Sequence, residues 1–149
     1  MLPGFVIALM GMALVATGCG GGDDDDDTPT PQPRTSEAVA ERVNALTAAL
    51  VDRDYAEVCA QLAPKAVEGL IRAAAEEGTD TDECSDAAAA LYGDLPDADS
   101  SDAPEVTASD VTLEQSGPAV VGSPSPGGGT MELVYAGGSW LALTPFFVR

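Results

Sequence analysis

Thr130-Met131-Glu132-Leu133-Val134-Tyr135-Ala136-Gly137-Gly138-Ser139-Trp140-Leu141 reads as two β-strands folded about a glycine turn. Met131, Leu133 and Tyr135 alternate with Thr130, Glu132 and Val134, the two-residue period that sends successive side chains to opposite faces of a sheet. Gly137-Gly138 offers the positive-φ residues that a tight hairpin needs. Upstream, Val111 and Leu113 alternate with Asp110, Thr112 and Glu114, and 119–121 is a short apolar run. Ser116-Gly117 predicts a second tight turn, and 123–129 a longer Pro/Gly-rich loop. The last strand is expected from Trp140 to about Phe147, with Pro145 confining that end to an edge or a bulge.

Before residue 104 the period is helical. Val39, Val43, Leu46 and Leu50 form the stripe of an amphipathic helix over about 36–51. Asp54, with Glu57 three residues on, predicts a capping box for a second helix whose inner face is Tyr55, Val58, Cys59 and Leu62. Pro64 suits the first turn of a third, with Val67, Leu70, Ile71 and Ala74 inward and Gly78 as a left-handed stop. A fourth is expected from near Asp82, with Cys84, Ala87, Ala88 and Leu91 inward and Gly93 as its stop. The Asp/Ser/Pro composition of 94–104 marks a linker. About four helices followed by a small, curved antiparallel sheet of about four strands is an α+β layout.

This pattern occupies 36–149, 114 residues, enough for one domain with one core and too few for two. The chain has 25 acidic and 6 basic residues and no histidine, a net charge of −19. Such a field repels phosphate backbones and excludes nucleic acid as a partner. Without histidine there is no imidazole base, no Ser/His triad and no imidazole metal ligand. Only carboxylates and tyrosines remain for acid/base work. Asp110, Glu114 and Glu132 are out of phase with the apolar strand residues and are expected to face solvent. Asp52 and Asp54 bracket a helix start, where capping accounts for them. Asp97-Ala98-Asp99-Ser100-Ser101-Asp102 lacks the glycine and the final glutamate of a calcium loop and reads as a solvated linker. No catalytic, cofactor-binding or metal-binding residue is assigned, and no cofactor is expected. Tyr55, Tyr92, Tyr135, Trp140, Phe146 and Phe147 either fill the core or line an apolar cavity.

Residues 20–35 carry glycines, the five aspartates 23–27 and three prolines, with no large apolar residue. Such a segment buries nothing and is expected to be a disordered spacer, 19–35 in all. Ahead of it, 2–16 is uncharged and apolar or small, about 22 Å as a helix against a hydrocarbon core of roughly 30 Å. It reads as an export signal, residues 1–18, and not as a membrane span. Only the terminal amine supplies positive charge ahead of it, as expected if translation begins upstream. Ala16-Thr17-Gly18-Cys19 resembles the lipobox of bacterial lipoproteins. The resemblance implies that Cys19 carries a diacylglycerol, with acyl chains such as palmitate, and becomes the new N-terminus. The expected address is then the extracytoplasmic face of the cell membrane; an ordinary secretory signal with an incidental Cys19 would make the protein secreted. Cys59 and Cys84 remain as an even pair in an exported domain and are expected to be disulfide-bonded, two separate buried thiols being the alternative.

Asp52-Arg53-Asp54-Tyr55-Ala56-Glu57-Val58-Cys59, Leu62-Ala63-Pro64 and Tyr135-Ala136-Gly137-Gly138-Ser139-Trp140-Leu141 resemble phrases of exported bacterial members of the nuclear-transport-factor-2-like (cystatin-like) family. The resemblance covers 36–149 and implies a cone in which a curved sheet wraps a long helix, often with a pocket between them. That family includes isomerases and hydrolases along with non-enzymatic binding and assembly domains. The expectation for this chain is a lipid-anchored envelope protein whose domain binds a small apolar ligand or an envelope protein without catalysis. The alternative is a pocket enzyme of the isomerase or hydrolase kind.

Overall fold

Thr35 opens the first helix by accepting the Ala38 N–H on its hydroxyl at 3.3 Å, which satisfies one of the four unpaired donors of the first turn. The computed structural model describes residues 30–94 and 105–146. Cys19, the export signal, residues 19–29 of the spacer, the acidic run 97–102 and Phe147 lie outside the described residues. Helix α1 spans Ser36–Val51, α2 Tyr55–Ala60, α3 Pro64–Glu76 and α4 Cys84–Tyr92. Strands β1 Val111–Leu113, β2 Ala119–Gly122, β3 Thr130–Ala136 and β4 Ser139–Ala142 follow. They form an open antiparallel sheet in the order β1-β2-β3-β4. The protein is therefore α+β, four helices and then a four-stranded meander.

Register decides the two faces. Val111 pairs with Val121 and Val121 with Met131, while Leu113, Ala119, Leu133 and Ala142 make a second cross-strand row. Tyr135 opposite Trp140 completes the inner face. Helix α1 lies across this face, touching both β1 and β4, and its Val39, Val43 and Leu46 are fully buried. Trp140, Leu46, Met131 and Leu133 are the largest apolar side chains with almost no exposed surface, so the space between helix and sheet is filled. The disulfide Cys59–Cys84 joins α2 to α4 with the two Cα atoms 6.1 Å apart, and Cys84 packs against the core.

Polar groups pin the connections. Arg53 takes φ 57°, a left-handed non-glycine residue, and the Asp54 N–H reaches back to the Ala49 carbonyl at 2.8 Å, so α1 turns at once into α2. The Asp54 carboxylate caps α2 by accepting the Glu57 N–H at 3.1 Å. The reciprocal half of the expected capping box is replaced: Glu57 accepts the Gln61 side-chain N–H at 2.9 Å. Where the chain re-enters at residue 105, the Asn44 amide on α1 both donates to the Val106 carbonyl, at 2.8 Å, and accepts its N–H, at 2.9 Å.

Five expectations change. Residues 30–35 do not behave as free spacer: Gln32 donates its N–H to the Gly138 carbonyl at 2.7 Å, and its side-chain oxygen accepts the Trp140 N–H at 2.9 Å. The Gln32 carbonyl accepts the Tyr135 hydroxyl at 2.6 Å, and the Pro33 carbonyl accepts the indole N–H at 3.2 Å. Arg34 then lies over both rings, 5.0 Å from the Tyr135 centroid and 5.9 Å from that of Trp140. Gln32 to Arg34 thus pack on the β3–β4 hairpin, where hydrogen bonds and ring contacts hold them. Asp110 ends a 3-10 turn, Ala108–Asp110, and does not lie in β1, because its carboxylate closes a loop on Thr107. Gly117 has no positive φ, whereas Gly137 and Gly138, at 60° and 84°, build the tight β3–β4 hairpin. Helix α4 starts at Cys84, the Thr81 hydroxyl having taken the Glu83 N–H. Strand β4 ends at Ala142, where the Gln61 carbonyl accepts the Ala142 N–H and Ala63 donates to the Ala142 carbonyl. Beyond it Pro145 has no N–H to continue the ladder.

Two measurements follow from these restraints. The disulfide closes a separation of 25 residues, so replacing both cysteines with alanine is expected to lower unfolding free energy by about 3 kcal/mol in urea titrations. Gln32→Ala removes the acceptor of the Trp140 N–H and is expected to cost about 1 kcal/mol. Because Trp140 is the chain's single tryptophan, a shift of its emission to longer wavelength reports loosening of this contact.

Candidate functional site

Helix α3 carries Lys65, Ala66, Gly69, Leu70 and Ala73 on one face, at the three- and four-residue spacing that stacks side chains along a helix. Opposite this face run Leu143, Thr144 and Pro145, the segment that leaves β4, and Tyr92 from the end of α4 closes one side. Between them lies an open cleft of about 450 Å³, lined mainly by apolar atoms. That volume lies within the roughly 300–1,000 Å³ of small-molecule sites. Phe146 is the one exposed large hydrophobic residue among those described, and its ring meets Tyr92 edge-on at 4.8 Å.

Gly69 shapes this cleft. It stands in the interior of α3, and a Cβ built there would meet no atom within 4 Å. No packing contact requires a glycine, yet glycine in a helix interior costs about 1 kcal/mol relative to alanine. Its effect is to leave the α3 wall of the cleft open. Half-burial pushes the Tyr92 phenol above its ordinary value, so it stays protonated at neutral pH and presents a hydrogen-bond donor. Among the described residues no carboxylate lines the cleft.

Two further depressions flank the sheet. One, of about 340 Å³, lies between Thr47 and Leu50 of α1, the 123–128 loop and Pro145-Phe146. The other, of about 300 Å³, lies beside the edge strand β1 and holds Arg34, Glu114 and Trp140. Glu114 and Glu132 are exposed, as their strand phase predicts. Asp52 stands at the C-terminal end of α1 and Asp54 caps α2, so both belong to the turn between helices. Among the described residues no three of Asp, Glu, Cys or His converge as a metal site would need. Of the aromatic residues, Trp140 fills the core, Tyr135 packs edge-on against it at 5.2 Å, and Tyr92 faces the cleft. Tyr55 is half-buried, and its hydroxyl has no partner among the described residues. The disulfide brings Cys59 and Cys84 together. The cleft itself escapes periodicity analysis, although the mid-helix Gly69 and the lone Lys65 were visible signals.

No helix among the described residues is long and apolar enough to cross a membrane. Comparison with protein-family models, curated proteins and solved structures yields no match.

Asp110 gives the acid response a definite sign. Its carboxylate accepts both the backbone N–H and the hydroxyl of Thr107 at 2.8 Å, bonds that hold its carboxyl below the ordinary aspartate value. A carboxyl lowered by folding stabilises above its unfolded value, and that contribution is lost as pH falls through the folded one. Asp110→Asn is therefore expected to flatten the acid limb of stability against pH, read by urea unfolding at a series of pH values. An unchanged limb means that the Thr107 contact carries no net stability.

Proposed function

We propose that this chain is an exported, lipid-anchored cell-envelope protein whose folded domain acts by binding and not by catalysis. The observation that carries the binding reading is the filled interior. Trp140, Leu46, Met131 and Leu133 occupy the space between α1 and the inner face of the sheet. A pocket enzyme with a carboxylate base needs such a space to desolvate that base and raise its pKa toward neutral. The apolar cleft lies instead outside the core, against α3, and offers the Tyr92 donor with no carboxylate base among its described lining residues. A donor without a base orients a ligand but moves no proton from it.

The address rests on three features that agree. An uncharged apolar segment leads to the lipobox-like Ala16-Thr17-Gly18-Cys19, a polar and Pro-rich stretch follows it, and the domain is cross-linked by a disulfide. Disulfides persist in oxidising, extracytoplasmic compartments, which supports export on grounds independent of the N-terminal motif. The likeness to nuclear-transport-factor-2-like domains is part of the same proposal and is supported by the helices-then-meander order. The partner held at the membrane is then a small apolar ligand or an envelope protein.

Cys19→Ala is the test of the anchor. Cells producing the variant are expected to release the protein from the membrane fraction into the soluble or extracellular fraction, while the unaltered chain sediments with membranes. A variant that still sediments with membranes removes the lipid anchor from the reading.

A further inference from the structure

The α3 cleft combines three features that no packing requirement explains. Its α3 wall is left open at Gly69, an exposed helix-interior glycine where a Cβ would meet no atom outside its own helix backbone and neighbours within 4 Å. Its walls are apolar, contributed by Leu70, Leu143 and Pro145 among others. Lys65, one helical turn before Gly69 on the same face, is the only lysine in a chain of net charge −19. Among the described residues Lys65 has no hydrogen-bond or ion-pair partner, although the chain carries 25 carboxylates. A lysine here lays its aliphatic stem along the apolar wall and keeps its ammonium at the water boundary. Tyr92 adds a hydroxyl from α4.

We propose that this cleft binds a single-chain amphiphile with an anionic head, of the fatty-acid carboxylate class, its chain over Gly69 and Leu70 and its head at Lys65. This rests on the binding reading above and names the ligand class of that site. A cleft of about 450 Å³ open along one side accommodates one alkyl chain. The protein's overall negative charge does not oppose it strongly, because exposed charges beyond about 8 Å are screened at physiological ionic strength. The charge nearest the head decides the selectivity, and among the described cleft residues that charge is positive. A neutral ligand would leave Lys65 without a role, and a cationic one would meet it as a like charge.

Calorimetric titration of the full-length chain carrying Cys19→Ala tests this, with decanoate and decyltrimethylammonium each below its micelle concentration. Decanoate is expected to bind with one-to-one stoichiometry and at least ten times more tightly than the cation. Lengthening the chain to dodecanoate should tighten binding roughly three- to fifteen-fold, according to how fully the two added methylenes are buried. Lys65→Glu should reverse the preference between the two heads. Gly69→Leu should weaken both amphiphiles at least tenfold, with far-UV circular dichroism and Trp140 emission unchanged. Equal binding of anion and cation, or a preference indifferent to Lys65→Glu, overturns the anionic assignment. Decanoate binding that survives Gly69→Leu places the ligand elsewhere, and an absence of decanoate binding by the parent chain overturns the site. None of these outcomes alters the membrane-release result, which tests the anchored reading separately.

Discussion

Everything in this domain depends on covering one face of a small, open sheet. Strands of three, four, seven and four residues expose an apolar inner face that cannot persist in water. Helix α1 is the cover. Its Val39, Val43 and Leu46 meet the rows set by Val121, Met131, Leu133 and Trp140, and the other three helices pack around that contact. Filling the interior this way uses one tryptophan and many small residues, with Ala38, Ala49, Ala87, Ala88, Ala119 and Ala142 allowing close approach. The same closeness fills the space between α1 and the inner face of the sheet, and the α3 cleft lies at the margin.

The second constraint is the free edge of β4. An unpaired strand edge offers its N–H and carbonyl groups to any other chain. Here two local segments occupy it. Gln32 and its side-chain amide serve Gly138 and Trp140, and Gln61 to Ala63 serve Ala142 through the parallel bridge at Leu62. The opposite edge, β1, is only three residues long. The β4 edge is thus closed by irregular segments joined to helix starts, which ties the helical half to the sheet.

How far the sequence disclosed this depends on the range of the interactions. The helical stripes and the Gly137-Gly138 hairpin were legible because their causes are local: period, caps and positive φ. Cys59 and Cys84 were legible as a pair through arithmetic and compartment. Gln32 was not, because its partners Tyr135 and Trp140 lie more than 100 residues away and its Pro-rich surroundings resemble spacer. Asn44 was missed for the same reason, its amide serving a backbone unit 62 residues distant. Asp110 failed differently: a strand period was read through a residue whose carboxylate had a nearer use in capping Thr107. The cleft against α3 left only compositional traces, a glycine where a helix disfavours one and a lysine in a chain that has no other.

The attachment of Gln32 to the sheet also fixes where the molecule feels load. A pull on the chain ahead of Pro31 reaches the folded unit first at the hydrogen bonds of Gln32 to Gly138, Trp140 and Tyr135, four residues before α1 begins at Ser36. Tension is therefore divided between the β3–β4 hairpin and the first turn of α1, and is not concentrated on Thr35. Ala142 and Pro145 stand at the other end of β4, so the α3 cleft lies away from this point of strain. The point at which the chain ahead of Pro31 joins the fold and the α3 cleft are thus built from different residues.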